Sequence, residues 1–190
     1  MNKKFKILII ILILILIPVV YFTATTISNQ MEQDNFYNTI KEVSDNENKS
    51  DIVSSEYQKN SSYTLSEIMD NNFALKVTES NSRTLNESIA KLKDLNKSLQ
   101  NETLKEYVEL EIQRMEDEVE SDNYYYSGAS DTFKALKGEI SVHSVYDKVM
   151  SDYNKSKEYG NKVDTDKQKV QDFLEKHPDI KNKFEELKNR

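Results

Sequence analysis

The chain has 190 residues and a net charge of −7, a length that suits one domain with an appendage and excludes two globular domains. Cysteine is absent, which removes disulfides, thiolate metal sites, cysteine nucleophiles and a lipoprotein anchor together. Three Gly and two Pro fall far below the usual shares of about 7% and 5%, and 31% of residues are charged, so hairpin turns are scarce and helices with narrow apolar stripes are favoured.

Residues 7–27 open the chain with an almost unbroken apolar run, and at 1.5 Å per residue they reach about 31 Å, the thickness of a bilayer's hydrocarbon core. Lys3, Lys4 and Lys6 precede this run and acidic residues follow it, so the lysine bias places the N-terminus in the cytoplasm and exports the rest. Setting those three lysines aside takes the charge from −7 to −10 on the exported part, which argues against nucleic acid or anionic lipid as its partner. A signal peptide cleaved near Thr25 or Ser28 is the alternative, but the run is long for one and lacks an A-x-A site.

The fold class expected is all-α: an N-terminal transmembrane helix followed by an extracytoplasmic antiparallel helical bundle. Residues 1–27 read as the signal anchor and residues 28–62 as a polar stalk or linker, partly helical through Phe36, Ile40 and Val43 and loosened at DNENKS. Residues 63–190 read as the bundle.

Within that bundle, Thr64 and Glu67 have capping-box spacing ahead of Leu65, Ile68, Met69, Phe73 and Val77. The polar ESNSR is expected to end this helix, and Thr84 with Glu87 to cap a second carrying Leu85, Ile89, Leu92 and Leu99. The stripe of Leu104, Val108, Ile112, Met115 and Val119 lies about 140–220° around from Leu99, so a break near Asn101 and a third helix are expected. A turn at YYYSGAS leads to a fourth helix, from Phe133 through Tyr153, that Gly160 closes as C-cap. Val170, Phe173 and Leu174 begin a fifth segment, and Pro178 fits the first turn of a last short helix with Ile180, Phe184 and Leu187.

The chain carries no motif of recognisable chemistry. Glu139 and His143 have the spacing of two ligands on one helix face, but nothing nearby completes a metal site, and His143 reads as an edge-of-core residue. His177 reads as a loop or cap residue. The acidic run at residues 116–123 lacks the central Gly of a calcium loop and reads as a solvated helix end. The glycines at 128, 138 and 160 are too scattered for a phosphate loop, and no G-x-S-x-G occurs. No catalytic residue, cofactor or metal is therefore expected.

Two features point outward. Tyr124, Tyr125 and Tyr126 cannot all face a core, and an exposed tyrosine suits partner contact, although a tyrosine collar closing the bundle is the better explanation. Six N-x-[ST] sequons, at Asn48, Asn60, Asn86, Asn96, Asn101 and Asn154, are more than composition predicts and fit a glycosylated surface protein, while the high Asn and Ser content makes chance an equal explanation. The Asn, Lys and Ile content points to an AT-rich prokaryotic genome.

The function expected is protein interaction at the cell surface or envelope, through self-association or an unknown protein partner, with the bilayer engaged by residues 7–27. The alternative is an extracellular ligand-sensing bundle working with a signalling partner. In architecture alone that arrangement resembles the outer half of a chemoreceptor, without a second hydrophobic span or a cytoplasmic output domain. A secreted protein after signal cleavage is the third reading.

Overall fold

A computed structural model describes residues 25–49 and 73–188. These residues form helices and connecting turns only. Helix α1 covers residues 25–49, α2 Phe73–Ser98, α3 Glu102–Leu136, α4 Val142–Lys176 and α5 Pro178–Lys188. Lys3, Lys4, Lys6, nearly all of the apolar run at residues 7–27, Asn60 and the Thr64–Glu67 capping pair lie outside the described residues. Among those described, no helix is long and apolar enough to cross a membrane.

The helices run up and down in antiparallel order, as the residues paired across them show. On α1 and α2, Glu42 meets Lys91, and Glu32 accepts from the Asn101 backbone at 2.7 Å. On α2 and α3, Asn96 donates to Glu109 at one end and Asn81 to Asp122 at the other. On α3 and α4, Tyr107 packs against Phe173 while Ser127 donates to Asp152. Helix α5 then turns back, so that Phe184 lies against Phe36, Tyr37 and Tyr107.

The segment expected as a polar stalk contributes directly to the core. Phe36, Ile40 and Val43 recur at helical spacing and are all buried, Phe36 completely, in one cluster with Leu85, Leu92, Leu95 and Leu99 of α2 and with Tyr107, Val108 and Met115 of α3. Burying each large apolar side chain is worth up to roughly 1.5–3 kcal/mol. Three such residues therefore hold α1 against the bundle, and the core spans the boundary drawn at Ser62.

The break expected near Asn101 is present. Asn101 leaves the helical region at φ −76° and ψ 112°, and its side-chain oxygen accepts from the Thr103 and Leu104 amides at 2.9 and 3.2 Å. That is an N-cap satisfying two of the amides a helix start leaves without carbonyls. Pro178 likewise opens α5, where its missing amide hydrogen costs nothing.

Four expected interruptions do not occur, the first at DNENKS, whose residues 45–49 are helical in α1. Helix α2 passes straight through ESNSR, because the Thr84 hydroxyl turns back to the Ser80 carbonyl at 3.1 Å while Asn81 and Ser82 bond Asp122 across the interface. Helix α3 passes through YYYSGAS, where Gly128 lets the Tyr153 ring approach: a Cβ there would lie 3.3 Å from Tyr153 Cε1. Helix α4 continues past Gly160 to Lys176, so Gly160 is an interior residue. The α3–α4 turn instead uses Gly138, at φ 75°, a left-handed conformation that L side chains rarely adopt.

Candidate functional site

Arg114 is the most unusual side chain of the bundle, a charged residue only 8% exposed on the same helix as Val108 and Met115. Its Nε donates to Glu111 at 2.7 Å, one terminal nitrogen to Glu118 at 3.2 Å and the other to Glu47 of α1 at 2.6 Å. Glu111 also accepts from the Tyr107 hydroxyl at 2.9 Å. Burial lowers the affinity of Arg114 for its proton, but Glu111 and Glu47 outweigh that effect and hold the guanidinium charged. Burial raises the Glu47 pKa, and Arg114 offsets only part of the rise. Burial likewise pushes the Tyr107 hydroxyl well above its ordinary range, helped by Glu111.

This network closes one end of a cleft between α1 on one side and α4 with α5 on the other, floored by α3. The apolar part has a volume of about 620 Å³ and is lined by Ile40, Val43, Tyr107, Met115, Leu174 and Phe184 among others. A more polar extension of about 340 Å³ follows, bordered by Arg114, Glu118, Asn81 and Lys167. Glu47 and Glu111 line both. Phe36, Tyr37 and Phe184 pack edge to face and stacked at the apolar end.

A second surface lies at the far tip of the α3–α4 hairpin. Leu136, Val142, Tyr146 and Met150 are 58%, 61%, 58% and 43% exposed. Below them, Lys148 bonds Asp131, Asp152 and Ser127, each at 2.8 Å. Ser127 and Lys148 thus sit at the distance of a nucleophile and its base. The two carboxylates nevertheless raise the Lys148 pKa, chiefly by hydrogen bonding, so the amine stays protonated and cannot accept the serine proton. The cluster fixes the hairpin.

The residues singled out from sequence are distributed as follows. Tyr124 is half-buried and stacks on Tyr159 at 5.7 Å, with Lys155 Nζ 4.9 Å from its ring. Tyr125 and Tyr126 are exposed, and Tyr125 leans on Tyr153. All three lie within α3 rather than at its end. Among the sequons, Asn48, Asn86 and Asn154 are exposed on helices, Asn86 bonding the Ser82 carbonyl. Asn96 is half-buried against Glu109, and Asn101 is the α3 cap. These positions are not brought together.

His143 is exposed in the first turn of α4 while Glu139 sits in the preceding turn, so the expected helical pair does not form. His177 joins α4 to α5 and packs on Phe173 at 4.3 Å. Among the described residues, no group of three His, Cys, Asp or Glu is placed to hold a metal ion.

The acidic run at residues 116–123 is interior to α3, with Glu116 and Asp122 meeting α2 and Glu120 exposed. Glu116 pairs with Lys93 at 2.6 Å, Glu118 with Arg114, and Asp122 accepts from Asn81 and Ser82. Burial lifts the Asp122 pKa to about 6, with Glu118 adding to the effect and the Asn81 and Ser82 bonds opposing it. Sequence reasoning missed Arg114 although a signal existed: one of three arginines stands beside the Val108–Met115 stripe with Glu at i−3 and i+4.

The fold and these surfaces define an all-helical bundle with an amphipathic cleft on one side and an apolar hairpin tip. No protein-family model matches the chain, and searches of curated proteins and of solved structures return no match either.

Proposed function

We propose that this is a membrane-anchored, extracytoplasmic helical protein that acts by protein interaction at the cell surface or envelope and catalyses no reaction itself. Support for the anchor comes from the apolar run at residues 7–27 behind Lys3, Lys4 and Lys6. The observation that carries the interaction reading is the position of four exposed apolar residues, set apart from exposed Ile27 and Met31 of α1. Helix α1 starts beside the α2–α3 turn, whereas Leu136, Val142, Tyr146 and Met150 lie at the other end of α3, about 50 Å away at 1.5 Å per residue. A tethered bundle would thus present its apolar tip farthest from the bilayer. Exposed clusters containing aromatic residues and Met mark protein contacts more often than solvated filler.

The test combines topology with contact mapping. In intact cells, external protease is expected to digest a C-terminal tag, and the membrane-extracted protein to retain residues 1–27. A photoreactive residue at Tyr146 is expected to give discrete crosslinks and one at Lys93 none. Tag protection overturns the orientation, a soluble product lacking the N-terminus makes the protein secreted, and equal crosslinking at both positions removes the tip from the proposal.

The cleft favours the second reading, a ligand-sensing bundle coupled to a signalling partner, since concave apolar sites with a few convergent polar groups are where small molecules bind.

A further inference from the structure

We propose that the cleft between α1 and the α4–α5 pair is a binding site for a small amphipathic amine, its apolar body lying over Met115 and Leu174 and its ammonium group meeting Glu47 and Glu111. This inference rests on the cleft alone, and neither the membrane anchor nor the hairpin tip is needed for it.

Size is the first argument. Small-molecule sites typically enclose about 300–1,000 Å³, and the apolar part of the cleft measures about 620 Å³. That volume suits a small molecule.

Charge is the second. At the inner end, one guanidinium faces Glu47, Glu111 and Glu118, leaving two negative charges in excess, and exposed Lys167 on the outer wall offsets one of them. The other charged residues that line the apolar part, Asp45 and Glu185 against Lys41 and Lys181, balance each other, so the excess there is that of Glu47 and Glu111. Desolvation penalises the Glu47 carboxylate more than Arg114 compensates, so an added cation would meet a charge the fold leaves under-matched. An anionic head beside Glu47 and Glu111 would meet three carboxylates, whereas an ammonium group there meets opposite charge.

Floor and walls come from different segments of sequence. Glu47 and Ile40 stand on α1, Tyr107, Glu111 and Met115 on α3, and Leu174 and Phe184 on α4 and α5. Occupation would couple the position of α1 to that of α5. In a chain whose α1 leads back to residues 7–27, that is the geometry a sensor needs.

The experiment uses the full chain in lipid nanodiscs with methyl-labelled methionine, reading the Met115 signal by NMR against Met150 as a remote control. Phenylbutylamine is the probe, with phenylbutyrate and phenylbutanol as charge controls. The amine is expected to shift Met115 saturably and leave Met150 in place, with phenylbutyrate at least about tenfold weaker. Glu47→Gln is expected to weaken the amine about fivefold, the share of a partly exposed ion pair, and to leave phenylbutanol unchanged. Lys167→Glu, on the exposed wall and outside the core, is expected to tighten amine binding about twofold or more. The proposal is overturned by equal shifts from amine, acid and alcohol, by no Met115 shift from any of them, or by an affinity that Lys167→Glu leaves unchanged. A Met115 shift that follows protein concentration without probe would assign the cleft to a second copy of the chain and equally overturn it.

Discussion

Arg114 of α3 and Glu47 of α1 meet at 2.6 Å across 67 residues of sequence, and this contact ties the first described helix to the middle of the bundle. Removing the guanidinium leaves three carboxylates converging on one partly buried spot. Arg114→Met is therefore expected to cost roughly 3 kcal/mol, a figure typical of breaking a buried ion pair from one side. Glu47→Gln leaves Arg114 two partners and is expected to cost about 1 kcal/mol. Urea denaturation of both variants checks the order, and equal losses would mean that the network is not organised around Arg114.

Asp122 makes stability depend on pH in a defined direction. Its pKa rises from the ordinary 3.8 to about 6 in the folded chain, so folding favours the protonated form. The contribution is fully present below 3.8 and is lost as pH rises through 6. Asp122→Asn, which keeps an oxygen for Asn81, is expected to be more stable than the parent above pH 6 by about 1 kcal/mol after allowance for solvent at this half-buried site. The two proteins should converge below pH 4, and a difference that does not vary with pH between 4 and 7.5 would contradict this account.

Gly160 and Gly128 are both interior to helices, yet their substitutions should act in opposite directions. A Cβ at Gly160 would meet only Ser121 Oγ at 3.9 Å, so Gly160→Ala is expected to add about 0.5–1 kcal/mol from helix propensity. At Gly128 a Cβ would sit 3.3 Å from Tyr153 Cε1 and 3.4 Å from Asp152 Cβ, and Gly128→Val is expected to cost about 2 kcal/mol by forcing α3 from α4. Thermal unfolding of the pair decides.

At the hairpin tip, Leu136→Gln and Tyr146→Gln remove exposed apolar surface that supports no core. Stability is expected to stay within about 0.5 kcal/mol of the parent while crosslinks formed from the tip are lost. A large fall in stability would show that these side chains serve the fold instead.

How far the sequence could be read differs along the chain. The phase shift between Leu99 and Leu104 located the α2–α3 turn at Asn101, and Pro178 located the start of α5, because in both places a local steric or capping rule coincides with the observed boundary. Ser80–Ser82, Gly128 and Gly160 carry equally strong local signals for a turn, and the helices continue through them. There the competing interactions are tertiary: Asp122 takes the Asn81 and Ser82 side chains, and Tyr153 packs over Gly128. Of the candidate cleft, the Val108 and Met115 stripe and the Phe36, Ile40 and Val43 spacing were legible, but not that these two faces enclose a common space.

By itself, then, the sequence determined helical class, many of the apolar residues that make the core and the helix boundaries at Asn101 and Pro178, because periodicity and local steric rules are properties of a few consecutive residues. Only the tertiary structure decided that α1 belongs to the bundle, that three turn signals lie inside helices, and that Glu47, Glu111 and Glu118 converge on Arg114. Those outcomes depend on which helices are neighbours, and burial then reverses local preference: it makes a glycine a point of close approach and a surface carboxylate a partner in an interior network.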